Sequence, residues 1–339
     1  MLILALLAAV PADPAPGPIK TFGDWAVACD NVHACEMTSL LPGDGMSVEG
    51  SGYDEISLSI ARGPGPAGAF SVEVSINVQA KSATALRIDG QVVASGTPIN
   101  DTLRFAGADA ERIVAAIGKG KEAALTGPGG NRIGRVSLAG SSAALRFIDA
   151  DQGRAGTVSA AIAKGSKPVN AVPLVQPAPV VRYVRPSGTA ARVTPALKTA
   201  MVTASDCGEE YTGEVPKIET YALGGGRTLA LLPCGAGAYN YMSVPFLLGA
   251  GKPVFAGFDS QPGMSGPDST MPMLVNAGWD PKTARLSSYS KGRGLGDCGS
   301  AEEYVWDGTR FRLVEQRVMG ECRGSVNWLT VWKAQAVAR

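Results

Sequence analysis

Six cysteines fall in three close pairs behind a short apolar start, and this limits what the chain can become. The pairs are Cys29 with Cys35, Cys207 with Cys234, and Cys298 with Cys322. An even number of cysteines after a secretory-type N-terminus predicts disulfides formed in an oxidising compartment. Local pairing is expected. Cys29 and Cys35 sit on opposite arms of one predicted hairpin, which suits the short Cα separation a disulfide requires. The other two pairs each close a loop of roughly 25 residues, worth about 3–4 kcal/mol in chain entropy. The four cysteines of the second half could instead pair Cys207 with Cys298 or Cys322, tying its start to its end.

The stretch Leu2 to Val10 is apolar but nine residues long. A membrane-spanning helix takes about 20, a signal-peptide core roughly 7–15. Val10-Pro11-Ala12 places small residues where a signal peptidase reads, although no Lys or Arg precedes Lys20. Residues 1–12 are therefore expected to be a signal peptide, and the mature chain to be periplasmic or secreted, with no membrane span.

The 339 residues carry 31 basic and 30 acidic side chains, a net charge of +1. Such a balance leaves no electrostatic footprint for nucleic acid and no polybasic run for a membrane surface. The 43 glycines and 23 prolines, with few long helical patterns, favour short strands joined by turns. The fold class expected is mainly β with minor α (α+β), in two domains.

The segment from Gly165 to Pro186 holds five prolines, which fix φ and remove donors. It predicts an extended linker over 165–190, an edge strand broken by prolines being the alternative. An N-terminal, β-sandwich-like domain with two helices would span 20–164, and a disulfide-bonded β-domain 191–339. Within the first, Trp25 to Cys29 and Cys35 to Met37 form a hairpin, and Arg87 to Val92 turns on Asp89-Gly90. Helices are predicted over 108–119, with Asp109 as cap, and over 141–149, capped by Ser141 or Ser142. In the second, Asp307-Gly308 turns a hairpin between 303–306 and 311–318.

The second half carries Pro233-Cys234-Gly235-Ala236-Gly237-Ala238-Tyr239-Asn240, Lys291-Gly292-Arg293-Gly294-Leu295-Gly296-Asp297-Cys298-Gly299, Trp306-Asp307-Gly308, and Glu321-Cys322-Arg323-Gly324, closing at Trp328 and Trp332. By these motifs it resembles the DUF1176 family, secreted proteobacterial proteins of unknown function. The first half is similar, more loosely, to the invasion-associated locus B family, through Phe22-Gly23-Asp24-Trp25, the Cys29 and Cys35 pair, and the run from Asp109 to Asp149. That resemblance implies roles at the bacterial envelope and in host-cell invasion. Neither resemblance supplies catalytic residues.

Local motifs carry little chemistry. Asp297-Cys298-Gly299 is similar to the nucleophile loop of chymotrypsin-like cysteine proteases, but a thiolate needs a nearby His and the chain's one histidine is His33. Ser288-Tyr289-Ser290-Lys291 fits S-x-x-K without the companion elements. Gly294, Gly296 and Gly299 match G-x-G-x-x-G, but a strand follows where a dinucleotide loop needs a helix. Asp149, Asp151 and Gly153 start a calcium-loop pattern whose twelfth position is Ala160, not an acid. Trp279, Trp306, Trp328 and Trp332 gather in the second half with Tyr239, Tyr241, Tyr289 and Tyr304. They either fill a β-core or present a platform for glycan or peptide, with Trp306, Trp328 and Trp332 as its candidates.

These features predict a non-enzymatic binding or structural protein of the periplasm or envelope, without cofactor or metal. Its partner would be an envelope or extracellular protein or a glycan. One alternative is a periplasmic hydrolase or cell-wall enzyme using carboxylates, from Asp206, Glu209 and Glu210 or from Glu302 and Glu303. Another is a secreted inhibitor of a host enzyme such as lysozyme.

Overall fold

The computed structural model describes residues 13–43, 55–78, 82–207, 216–263, 265 and 269–339. The expected signal segment, 1–12, lies outside the described residues, as do Glu209 and Glu210. The chain is mainly β with minor α. In the first half the elements are β1 (Ile19–Phe22), β2 (Trp25–Cys29), β3 (Cys35–Ser39), β4 (Ile56–Arg62), β5 (Phe70–Ile76), β6 (Thr84–Ile88), β7 (Gln91–Gly96), β8 (Thr102–Ala106), α1 (Gly107–Ile117), β9 (Glu122–Thr126), β10 (Arg132–Ser137) and α2 (Ser141–Asp151). In the second half they are β11 (Val180–Tyr183), α3 (Pro195–Ser205), β12 (Glu219–Gly224), β13 (Arg227–Ala236), β14 (Tyr241–Leu248), β15 (Val254–Phe255), β16 (Leu274–Val275), β17 (Gly278–Asp280), β18 (Arg285–Lys291), β19 (Gly299–Trp306), β20 (Phe311–Met319), β21 (Leu329–Lys333) and β22 (Gln335–Ala338).

In the first half, a six-stranded antiparallel sheet runs β1-β2-β3-β4-β5-β8 and a four-stranded sheet runs β10-β9-β6-β7. Alternation builds the core. Ile56, Leu58 and Ile60 of β4 and Val72 and Val74 of β5 face inward against Leu86, Leu125 and Val136 of the smaller sheet and Ile113, Ile117, Leu145 and Ile148 of α1 and α2. The Asp89-Gly90 turn has positive φ at both residues, the geometry a two-residue hairpin loop wants.

Both helices begin differently from the sequence expectation. Asp109 lies in the first turn of α1 and bonds Arg112; the flanking Ala106 contributes no side-chain cap. At α2, Gly140 occupies the cap position with φ +94°, and a side chain there would strike the Phe22 carbonyl. Ser141 instead turns its hydroxyl onto the carbonyls of Ile117 and Leu138, tying the two helices together.

In the second half, β12-β13-β14-β15, with β16 beside β14, forms one sheet, and β17 through β21 forms a meander. The core between them is aromatic: Trp279, Tyr304, Trp306, Phe311 and Trp332 pack with Leu229, Leu286 and Leu313. Helix α3 was not anticipated, although Thr194 before Pro195 is a start signal. The Thr194 hydroxyl accepts from the Leu197 amide, and proline stands where no amide donor is needed. The proline-rich stretch is not extended throughout: it makes a 3-10 turn at Val169–Ala171, runs extended after it, and is anchored. Val172 is buried, and β11 pairs in parallel with β22, burying Val181 against Val305 and Val314.

Strand β2 is buried on both faces. Trp25, Val27 and Cys29 face the first core, while Ala26 and Ala28 face Met319, Leu329 and Val331 of the second half. The alanines leave room for β21 to approach. Polar contacts complete this joint: Asn31 and the Lys333 backbone exchange two hydrogen bonds, Asn327 donates to Ser59 at 2.8 Å, and the Gly17 amide donates to the Val331 carbonyl.

Candidate functional site

The three cysteine pairs are disulfides, Cys29–Cys35, Cys207–Cys234 and Cys298–Cys322, with Cα separations of 4.0, 4.9 and 4.7 Å. Cys298 is therefore no nucleophile, and His33 lies elsewhere, its Nδ1 2.9 Å from Asp151 Oδ2. Cys29, Cys35 and Asp151 have metal-ligand proximity, but both sulfurs are held by each other.

The aromatic platform is corrected for two of its three members. Trp306 and Trp332 are buried, because the inward faces of their strands pack into the core with Leu229, Leu286 and Leu313 of neighbouring strands. Trp328 is half-buried, stacked on Tyr289 at 4.9 Å between ring centres. The carboxylate pair is also undone. Glu302 and Glu303 are neighbours on β19 and so point to opposite faces. Glu303 pairs with Arg285 at 2.8 Å on the surface. Glu302 points into the core, in phase with Tyr304 and Trp306. Asp206 ends α3 in a left-handed conformation, exposed. Ser288 and Lys291 likewise lie on opposite faces of β18. Gly299, with φ +139°, opens β19 where a side chain would strike the Ser290 carbonyl, so its role is close backbone approach.

Glu302 is 1% exposed, and among the described residues neither carboxyl oxygen has a hydrogen bond of full geometry. Burial pushes its pKa up; Ser300, Gln316 and Ser288 and the Gly263 amide surround it and act the other way. Tyr304 beside it has an unpartnered hydroxyl, and burial raises its pKa well above the usual value. A carboxyl whose pKa is raised on folding contributes stability below its unfolded pKa, about 4.3, and that contribution fades as pH rises through the folded value. Glu302→Gln should therefore match the parent near pH 4 and exceed it by about 1–2 kcal/mol at pH 7 in urea denaturation. A destabilised variant at pH 7 would mean that the ionised carboxylate is needed.

The residues that gather charge around a cavity lie in the first half. Arg62 ends β4 in phase with Ile56, Leu58 and Ile60, so the pleat sends it inward. Its side chain is 3% exposed, and that of Asp149, on the inner face of α2, is 0%. Asp149 Oδ1 accepts from Arg62 Nη1 at 3.3 Å and from the Ala161 amide at 2.7 Å; Oδ2 accepts from the amides of Ile162 and Ala163. The calcium-loop pattern is thus spent on a helix-to-loop clasp. Arg154, fully buried, lies beside Arg62. Its Nε donates to Gln152 Oε1, Nη1 to Ser159 Oγ, and Nη2 to the carbonyls of Gly65 and Gly68. The Gly63-Pro64-Gly65-Pro66 turn is held by these bonds.

Two buried guanidinium groups thus lie near one buried carboxylate, which is bonded to Arg62 and acts on Arg154 through charge alone. Arg62 Nη2 donates to the Ser159 carbonyl and its guanidinium lies 4.2 Å over the Phe70 ring, but its Nε has no partner. Burial and the charge of Arg154 lower the Arg62 pKa to about 10, and burial lowers that of Arg154. Above the two arginines is a cavity of about 570 Å³, bounded by the Pro66–Phe70 turn, by Glu111, Arg112 and Ala115 of α1, and by Val158 to Ala161 and Lys164. That volume is in the range of small-molecule sites, roughly 300–1,000 Å³. The sequence reading passed over Arg62, although its phase in an alternating strand marked it as inward. Arg154, in irregular chain, had no such mark.

The motifs of the second half meet in space. Tyr239 and Asn240 bond the backbone of Gly292 and Lys291. Arg293 holds Asp297 with two bonds, and Asp297 accepts from the Gly324 amide. Arg323 then crosses to the first half, donating to the carbonyls of Leu41 and Gly23 and, at 2.5 Å, to Asp24. The chain matches the family described as "Protein of unknown function (DUF1176)" over residues 19–335. It belongs to the DUF1176 family. The match takes in both halves, more than the second-half motifs alone implied. A relative from Escherichia coli (strain K12), "Uncharacterized protein YpfG", is 30% identical over 335 residues, 92% of each chain. A looser likeness is to the crystal structure of invasion associated protein B from Bartonella henselae: 20% identity, TM-score 0.30, 40% of this chain and 99% of that one. The DUF1176 motifs are structural in their contacts: disulfides, turns and the Arg323 clasp.

Proposed function

We propose that this DUF1176 protein is an exported protein of the bacterial periplasm or envelope that acts as a non-enzymatic binding module, with the arginine-floored pocket as its ligand site. The reading takes 20–164 and 191–339 as two β-rich units, connected by the proline-rich stretch and closed against each other at Arg323. The observation that carries it is the buried Arg62–Asp149 ion pair with a second buried guanidinium, Arg154, beside it beneath an open cavity. Desolvating such charge is costly, and ligand-binding sites are where that cost is commonly met. Three disulfides support export.

Fractionation of cells expressing the full chain tests the compartment. The product should appear in the periplasmic or secreted fraction, shortened by cleavage before Asp13. An intact N-terminus retained in the cytosol would sink the export proposal.

A further inference from the structure

We infer that the pocket over Arg62 and Arg154 takes a small ligand by its oxyanion, a carboxylate or a phosphate. The inference deepens the proposal that this cavity is the ligand site and rests on it. Among the described residues Arg62, Arg112, Arg154 and Lys164 line the cavity, with Glu111 as its one acid. Asp149 lies behind the floor, and its oxygens are already taken by Arg62 and three amides. Asp109 answers Arg112 outside the lining. Positive charge is therefore in excess where the surroundings are least able to screen it, and a buried charge is worth most to a counter-charge that arrives desolvated.

The division of labour among the arginines points the same way. Arg154 spends its donors on Gln152, Ser159 and the carbonyls of the Gly65–Gly68 turn, so it shapes the floor. Arg62 makes two bonds, and its enclosed Nε has no partner among the described residues. Phe70 fixes the plane of its guanidinium. A planar, fixed guanidinium matches carboxylate and phosphate oxygens better than a flexible ammonium does. Lys164 stands exposed on the rim, where it can follow an anion into the cavity. Glu111, exposed on α1, opposes the same anion.

Arginine Nε–H resonances of the ¹⁵N-labelled full chain read the site directly. The probes are glucuronate, glucose and inorganic phosphate. Glucuronate and glucose differ by one carboxylate; phosphate separates a phosphoryl from a carboxyl ligand. Glucuronate, phosphate or both should shift the Arg62 and Arg154 signals at millimolar concentration, and glucose should not. Lys164→Glu should weaken the effective anion, and Glu111→Gln tighten it, each by roughly two- to fivefold. Both positions are exposed, so the fold does not depend on them. Shifts of equal size with glucose would overturn the oxyanion inference and leave the pocket as a ligand site. No shift with any probe would overturn both, and so would affinities unmoved by the two rim variants overturn the charge argument.

Discussion

Asp149→Asn will cost the protein about 3–5 kcal/mol of stability. The residue is fully enclosed and is the counter-charge of Arg62 at 3.3 Å, with Arg154 beside it. An amide of the same shape can still accept at one atom but brings no charge. Two guanidinium groups would then be buried with no buried carboxylate opposite them, only the exposed Glu111 across the cavity. The amides of Ala161, Ile162 and Ala163 would also face an NH₂ group at one of their two acceptor positions. Most single substitutions cost far less, so the shift in urea midpoint should be large against a marginal total of about 5–15 kcal/mol. Asp151→Asn, two residues on, is the control. Its half-exposed pairing with His33 is worth at most about 1 kcal/mol. Equal losses at the two positions would show that Asp149 is not neutralising buried charge.

Arg323→Ala should loosen the joint between the halves and cost about 2–4 kcal/mol. One side chain there satisfies three acceptors: the Leu41 and Gly23 carbonyls and the Asp24 carboxylate. Both charged partners are largely sheltered, 13% and 15% exposed, so the pair is less screened than a surface bridge. Its neighbours stay fixed, since the Cys298–Cys322 disulfide and the Asp297 bond to Gly324 remain. The loss should therefore fall on the contact between halves. Calorimetry should show the parent's unfolding broaden or divide into two transitions in the variant. A single transition shifted by less than about 1 kcal/mol would mean that the β2–β21 contact and the polar bonds beside it hold the halves without Arg323.

The parts of this fold that were legible in the sequence are those governed by local rules. The hairpins at Asp89-Gly90 and Asp307-Gly308, and the existence of α1 and α2, follow from turn chemistry and periodicity. The helix starts did not, because Gly140 and Ala106 occupy positions fixed by tertiary packing rather than by capping. The double-sided burial of β2 had a signal that went unused. Trp25-Ala26-Val27-Ala28-Cys29 is continuously apolar, where a half-exposed strand would alternate. Two more signals of the same kind went unused: alternation marks Arg62 as inward on β4 and sets Glu302 and Glu303 on opposite faces of β19. What no local rule reaches is the meeting of Arg62, Asp149 and Arg154. Arg62 and Asp149 are 87 residues apart and are brought together only when α2 packs on β1 and β2 of the sheet that also carries β4. Nor could tryptophan content alone divide core from surface; that needed the strand phase that buries Trp306 and Trp332.

Native mass spectrometry of the full chain, taken directly from its periplasmic fraction, tests the central claim. The account predicts that part of the population carries a small anionic adduct, lost at high salt and depleted in Lys164→Glu. A single adduct-free mass in both proteins at every salt concentration would contradict it.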